Sequence, residues 1–216
     1  MNLAIFDLDH TLLAHDSDYL WGQHMVDNGF VDADYYASQN QRFYDAYKAG
    51  TLNMLEFCRF SMAPLAQHPL TELLALRQRF VEEKIRPVIA THTPALLQRH
   101  RDRGDTLLIT TATNRFIVEP IAEMLGVPHL IATEPELIDG RYTGQPALMN
   151  FRDSKVDNLR AWIDARGGGV TKTTGYSDSA NDLPLLEFVD HPHAVDPDPR
   201  LRETAEARGW PVISLR

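Results

Sequence analysis

The chain opens with Leu-Ala-Ile-Phe at residues 3–6 and passes without a spacer into Asp7-Leu8-Asp9-His10-Thr11. So short an apolar run, cut off by polar residues, fits a strand buried on both faces of a parallel sheet. Asp7 then lies at the strand's carboxyl end, where open α/β sheets bind their ligands. Along a continuing strand, residues i and i+2 share a face; where the backbone turns, two such carboxylates can converge on one ligand. A cation held together with an electrophile is the natural occupant.

Alternation of strands and helices resumes late in the chain. Thr93 at an N-cap and Pro94 at the first helical position open a helix that Gly104 closes. Residues 105–111 form the next buried strand, and 114–125 a helix that contains Pro120 and ends at Gly126. A third strand covers 130–133. Asp139-Gly140, within 136–143, marks a hairpin. Residues 155–166 are helical and stop at Gly167-Gly168-Gly169; 170–177, 194–195 and 212–215 are further strands. The pattern predicts a doubly wound parallel sheet of α/β class, a Rossmann-like core.

Residues 14–87 interrupt it. This stretch has no alternating strand pattern and is rich in aromatics, with Tyr19, Trp21, Phe30, Tyr35, Tyr36, Phe43, Tyr44 and Tyr47. Tyr36, Phe43, Tyr44 and Tyr47 recur at helical spacing and read as a core-facing stripe. Breaks at Gly29, at Gly50 and between Pro64 and Pro69 divide the stretch into about four helices. The expectation is an inserted all-helical cap, 14–87, on a catalytic core made of 1–13 and 88–216.

A net charge of −9 argues against sequence-independent binding to nucleic acid, whose phosphates an acidic surface repels. Cys58 is the only cysteine, which excludes an intrachain disulfide and a cysteine-based zinc site and leaves a small buried hydrophobe. No apolar stretch is long enough to span a bilayer, and the first residues lack the basic start of a secretory signal. A cytoplasmic protein without a membrane partner is expected; the sequence sets no oligomeric state.

Four features fall at or just beyond predicted strand ends: the Asp7/Asp9 pair with Thr11, the hydroxyl of Thr111, the ammonium of Lys155, and Asp178 with Asp182 in Gly-Tyr-Ser-Asp-Ser-Ala-Asn-Asp, residues 175–182. Taken singly, each has an ordinary structural reading, as an acidic turn, a strand-end hydroxyl, a surface lysine or a helix N-terminus. Gathered at one rim, the carboxylates would repel one another unless a hard divalent cation sat among them. Oxygen ligands favour Mg²⁺ sharing a substrate phosphate. Phosphoryl transfer follows, with Lys155 and the metal neutralising phosphate oxygens so that an anionic carboxylate can approach.

The order Asp-x-Asp-x-Thr, strand-end Thr, Lys and Gly-x-Ser-Asp-x-x-x-Asp resembles the haloacid dehalogenase superfamily. The cap between the first and second motifs is similar to the phosphoserine-phosphatase-like branch. The resemblance implies a Mg²⁺-dependent phosphomonoester hydrolase that forms an aspartyl-phosphate on a small-molecule substrate. It makes Asp7 the nucleophile and Asp9 the general acid/base. Asp7 and Asp178 become carboxylate ligands of Mg²⁺, Asp9 a ligand through its main-chain carbonyl, and Asp182 a support of the metal site, while Thr111 and Lys155 hold the phosphate.

The chain departs from phosphoserine phosphatases in three places. Ala112-Thr113 follows Thr111 where those enzymes carry a Gly pair; Asp16 stands in for a longer acid that binds the substrate amine; and Arg59 is an imperfect counterpart of a cap arginine, Ser61 aligning better. Asp16 and Arg59 are therefore the candidate substrate contacts, and phosphoserine competes with sugar, nucleotide and amino-alcohol phosphates. A non-hydrolytic phosphoacceptor signalling domain also groups carboxylates, Thr and Lys around Mg²⁺, but its acceptor Asp lies on an interior strand with no acid two residues on. Gly167-Gly168-Gly169 lacks the Gly-Lys junction of a nucleotide-binding loop, and Gly175-x-Ser177 the second Gly of a nucleophile elbow. His191-Pro192-His193 reads as surface or loop histidines, and His10 as a neighbour of the acidic pair that substrate could reach.

Overall fold

The structure, a computed structural model, describes every residue except Gly50, and for Tyr47 and Lys48 the backbone alone. The first strand, β1 (Asn2–Phe6), has both faces covered, as its unbroken apolar run requires. Ala4 and Phe6 point to one side with Leu107 and Ile109, and Leu3 and Ile5 to the other with Leu108, Leu159 and Leu185. Parallel partners flank it: β2 (Thr106–Asn114) on one side and β5 (Lys172–Ser177) on the other. With β3 (His129–Ile138), β4 (Arg141–Leu148), β6 (His191–Val195) and β7 (Val212–Ile213), the sheet order is β4-β3-β2-β1-β5-β6-β7, and only β3–β4 is antiparallel. The carboxyl end of β1 is thus the topological switch point of a doubly wound sheet.

The helical insertion consists of α1 (Ser17–Asp27), α2 (Ala33–Lys48), α3 (Met54–Gln67) and α4 (Leu70–Phe80), followed by a wide helical turn at Val81–Ile85. It leaves and re-enters the sheet layer through two short antiparallel segments, where Leu13 bridges Ile89, Ala14 N donates to Val88 O (2.7 Å) and Ala90 N to Leu12 O (3.0 Å). Trp21 is its anchor. Fully buried, it packs edge-on against Phe80 of α4 (5.2 Å) and Phe116 of α6 (Arg115–Met124), so one apolar cluster runs from the insertion into the sheet. Cys58 lies in that cluster, and burial, with the charge of Asp18 adding, pushes its thiol up to about 12.

Several local expectations change. Of the aromatic stripe, Tyr36 and Phe43 are core and pack on Phe60, but Tyr44 is 51% exposed. Phe43 is two turns from Tyr36 and shares its face, whereas Tyr44 is rotated by a further residue. The side chain of Tyr47 and the break at Gly50 lie outside the described residues. Pro64 does not end a helix but sits inside α3, which stops at His68. Thr93 is not a cap: it is the first residue of α5 (Thr93–Asp102), and its hydroxyl donates to Leu12 O (2.8 Å), tying α5 to the neck of the insertion. His191 and His193 belong to β6 rather than to a loop, and the ring of His193 stacks on Tyr176 at 4.6 Å. The hairpin forms as read, with Asp139 (φ 49°) and Gly140 (φ 76°) both left-handed, as a two-residue turn of this kind requires. No described helix is long and apolar enough to cross a membrane.

Because Trp21 joins the insertion to the sheet layer, the chain should unfold as one unit. Trp21→Ala is expected to lower stability by about 3–5 kcal/mol within a single urea transition; two separated transitions in the wild type would contradict a shared core.

Candidate active site

The charged residues converge at the carboxyl ends of β1 and β5. Asp7 leaves β1 still paired, its N–H donating to Tyr176 O (2.9 Å). The chain then turns through Leu8–Leu12, closed by Leu13 N donating to Leu8 O (3.0 Å), with His10 exposed at φ 57°. This turn folds Thr11 back onto Asp7. The Thr11 hydroxyl lies 3.2 Å from Asp7 Oδ2 and 3.1 Å from Asp178 Oδ1, and it accepts the N–H of Asp178 (3.1 Å). A single hydroxyl thereby links the two carboxylates across 167 residues of chain.

Lys155 arrives from the first turn of α7 (Asp153–Asp164), preceded by Arg152 in a strained backbone conformation (φ 51°, ψ −123°). Its ammonium, 3% exposed as a residue, donates to Asp7 Oδ1 (2.8 Å) and Asp182 Oδ2 (2.7 Å). The same Asp182 oxygen accepts from Ser177 Oγ (2.8 Å). Asp182, at the start of α8 (Leu183–Phe188), thus stands behind Lys155 and holds it.

Asp9 is half-buried and gripped from two sides. Oδ1 accepts the N–H of Ser17, the first residue of α1 (2.7 Å), and Oδ2 accepts the Thr113 hydroxyl (2.8 Å). Thr111 Oγ1 is 3.4 Å from Oδ2, a long contact, and takes the Thr113 N–H at 3.2 Å. Thr111 is therefore at the rim, engaged with protein partners. Behind it, fully buried Asn150 donates to Thr110 Oγ1 and Thr111 O, both at 3.0 Å, and fixes the end of β2.

The electrostatics are those of a crowd of anions. Burial drives the Asp7 carboxyl up to about 7 against the pull of Lys155. Burial also raises Asp9, with Asp16 adding, and lifts Asp178 well above the carboxylate range, with Asp7 and Asp182 adding. For Lys155 burial works the other way, but Asp182 and Asp7 outweigh it and hold the ammonium above its usual range. Lys155 bonds Asp7 and Asp182, and Asp9 and Asp178 add negative charge that this ammonium does not offset, so the site is rich in carboxylate oxygens. That donor set suits a hard divalent cation. Among the described residues no group of three His, Cys, Asp or Glu side chains forms a ready-made metal cage.

The two candidate substrate residues part company. Asp16 caps α1, accepting Tyr19 N (2.9 Å), one residue from the Ser17 N–H that holds Asp9. Arg59 is exposed and donates to Gln145 on β4 (2.7 Å), so it braces α3 against the hairpin. Sequence reasoning missed Asp18, on the first turn of α1, whose carboxyl burial raises well above its ordinary value, with Asp16 and Asp9 adding. It missed Thr113 and Asn150 as well. The pairing of two carboxylates on one short N-terminal turn, Asp16-Ser17-Asp18, was the available signal for Asp18. A groove of about 400 Å³ lies elsewhere, over β5 and β6, lined by His100, Tyr176, His193 and Trp210 among others and by none of the candidate carboxylates, Thr111 or Lys155.

Comparison with known proteins identifies the family. The profile of the haloacid dehalogenase-like hydrolases matches residues 4–187. The chain belongs to that family. Within it the protein is a phosphatase of the phosphoserine-phosphatase-like kind, its helical cap inserted between the first and second motifs. A histidinol-phosphatase of Neisseria meningitidis serogroup C is 41% identical over the whole of this chain and 99% of its own. A crystal structure of a Bordetella pertussis protein described as of unknown function superposes with a TM-score of 0.95 at 41% identity, covering 100% of this chain and 99% of that one. A substrate-bound phosphoserine phosphatase shares the fold, with a TM-score of 0.71 at 17% identity over 100% and 93% of the two chains.

The raised Asp7 sets a pH dependence. Its carboxyl binds a proton more tightly folded than unfolded, between the ordinary 3.8 and about 7. Stability from this group therefore falls as pH rises through that window and is level above it. In chelator, Asp7→Asn should become progressively more stable than wild type from pH 4 to pH 7 in thermal melts; a constant difference would contradict the shift.

Proposed function

We propose that this phosphatase is a Mg²⁺-dependent phosphomonoesterase acting through an aspartyl-phosphate on a small amino-alcohol phosphate of the histidinol phosphate type. The observation that carries the reading is the buried Asp7 carboxylate, held by Lys155 on one oxygen and by the Thr11–Asp178 link on the other. A carboxylate fixed in this way can serve as a nucleophile whose approach to an anionic phosphate Lys155 makes tolerable.

In the first half-reaction an Asp7 oxygen bonds to phosphorus as the ester P–O bond breaks, and the Asp9 carboxyl gives its proton to the departing alcohol oxygen. In the second, Asp9 takes a proton from water, whose oxygen bonds to phosphorus as the Asp7–P bond breaks, yielding inorganic phosphate and the free carboxylate. Asp7, Asp178 and the main-chain carbonyl of Asp9 would hold Mg²⁺, which when bound supplies positive charge against the phosphate oxygens. Thr111 and Lys155 bind the phosphate, and Asp182 keeps Lys155 in place. We assign 1–13 and 88–216 to the catalytic core and 14–87 to the cap.

The substrate class rests on two supports. Asp16 brings negative charge to the first turn of α1, beside the residue that holds Asp9, and a neighbouring ammonium or imidazolium would favour ionisation of Asp18, whose carboxyl burial raises. Arg59, the cation a substrate carboxylate would need, is committed to Gln145. Both favour a phosphate ester with a cationic nitrogen and no carboxylate, in line with the name of the Neisseria relative.

In a phosphate-release screen with Mg²⁺, kcat/KM for histidinol phosphate should exceed that for O-phosphoserine by at least about tenfold, a difference of roughly 1.4 kcal/mol. Asp7→Asn should abolish release while preserving the fold. A preference for phosphoserine would overturn the substrate reading, and undiminished turnover by Asp7→Asn would overturn the mechanism.

A further inference from the structure

We infer that Thr113 is the positioning residue for the proton-transferring carboxyl of Asp9. The inference rests on the acid/base role proposed for Asp9 and adds a residue to it.

Asp9 lies on the turn after β1, where no strand neighbour fixes its rotamer, so its carboxyl must be aimed by hydrogen bonds. The contacts are unequal. Ser17 offers a backbone N–H, which can only donate and so leaves Oδ1 unable to carry a proton on that side. Thr113 offers a hydroxyl at 2.8 Å from Oδ2, and a hydroxyl donates to a carboxylate yet accepts from a carboxylic acid. Thr113 is therefore matched to both protonation states that Asp9 passes through in one cycle, and it assigns the mobile proton to Oδ2. Thr111, at 3.4 Å from the same oxygen, is too distant to do this and is needed for phosphate.

The backbone explains how Thr113 reaches the site. β2 runs three residues past Thr111, and its pairing with β3 shifts register between Thr110 and Asn114. Such irregularities at the end of a strand re-aim side chains. Thr111 and Thr113 then present their hydroxyls to the same carboxyl oxygen, with the Thr113 N–H bonded to Thr111 Oγ1. The position that is glycine in the phosphoserine phosphatase pattern here supplies a donor.

The test exploits the leaving group. A proton from Asp9 is needed when P–O cleavage expels an alkoxide and is not needed when it expels p-nitrophenolate. First-turnover release of the alcohol from an alkyl phosphate and of nitrophenol from p-nitrophenyl phosphate is measured by quench-flow for wild type, Thr113→Val, Thr113→Ser and Asp9→Asn. Thr113→Val should slow alkyl alcohol release by about 10- to 100-fold, within the range of general acid catalysis, with KM within about twofold and nitrophenol release within about threefold. Thr113→Ser should restore the alkyl rate.

Equal slowing on both esters, or a raised KM with an unchanged first turnover, would make Thr113 a structural or substrate-binding residue and overturn the inference. A leaving-group dependence in Asp9→Asn that is absent from Thr113→Val would overturn the Thr113 role alone. If Asp9→Asn itself showed no such dependence, the acid/base reading beneath it would fall too.

Discussion

The structure turns on a buried ammonium placed between two carboxylates. Removing three charges from water costs several kcal/mol per ion unless geometry repays it, and here Lys155 bonds Asp7 and Asp182 at 2.8 and 2.7 Å while Ser177 satisfies the rear carboxylate. The arrangement is still incomplete. Asp178, linked to Asp7 through Thr11, and Asp9 add negative charge that Lys155 cannot balance, and burial forces these carboxyls toward their protonated forms. In the proposed function this imbalance leaves a dication and a phosphate to complete the charge set.

The insertion is more than a cover over that charge. Trp21 sits in the apolar cluster that also contains Phe6 and Ile109 of the sheet, and the N–H of Ser17, at the head of the same helix, holds Asp9. The first helix of the insertion therefore also fixes the carboxyl of Asp9, the group to which the acid/base role is proposed. Asp16 and Asp18 flank that N–H, so the proposed substrate contacts and the contact that aims Asp9 share a single turn of helix. Arg59, which the family resemblance offered for a substrate carboxylate, instead braces α3 against the hairpin through Gln145.

Much of this was legible in the chain because the informative segments are local. A run of apolar residues ending in Asp7 reports a strand buried on both faces and its functional end; Asp139-Gly140 reports a turn that needs left-handed backbone. The errors fall where tertiary partners decide. Thr93 has the chemistry of a cap but finds Leu12 O across the neck of the insertion. β2 and β3 extend past their apolar stretches because Thr133 and Asn150 pair with the end of β2. Tyr44 differs from Phe43 only by one residue's rotation about α2. Six side chains of the site were named from motif order, whereas Thr113, Asn150 and Asp18 carry no motif and take their meaning from contacts distant in sequence.

In the proposed mechanism the Asp7 carboxylate, made approachable by Lys155, bonds covalently to phosphorus. Acid quenching during turnover, borohydride reduction and peptide mass spectrometry would test it directly, since an acyl phosphate at this position is reduced to homoserine. Homoserine is expected at position 7 in the wild type, with none in enzyme treated without substrate. Reduction at another carboxylate, or none while phosphate is being released, would contradict it.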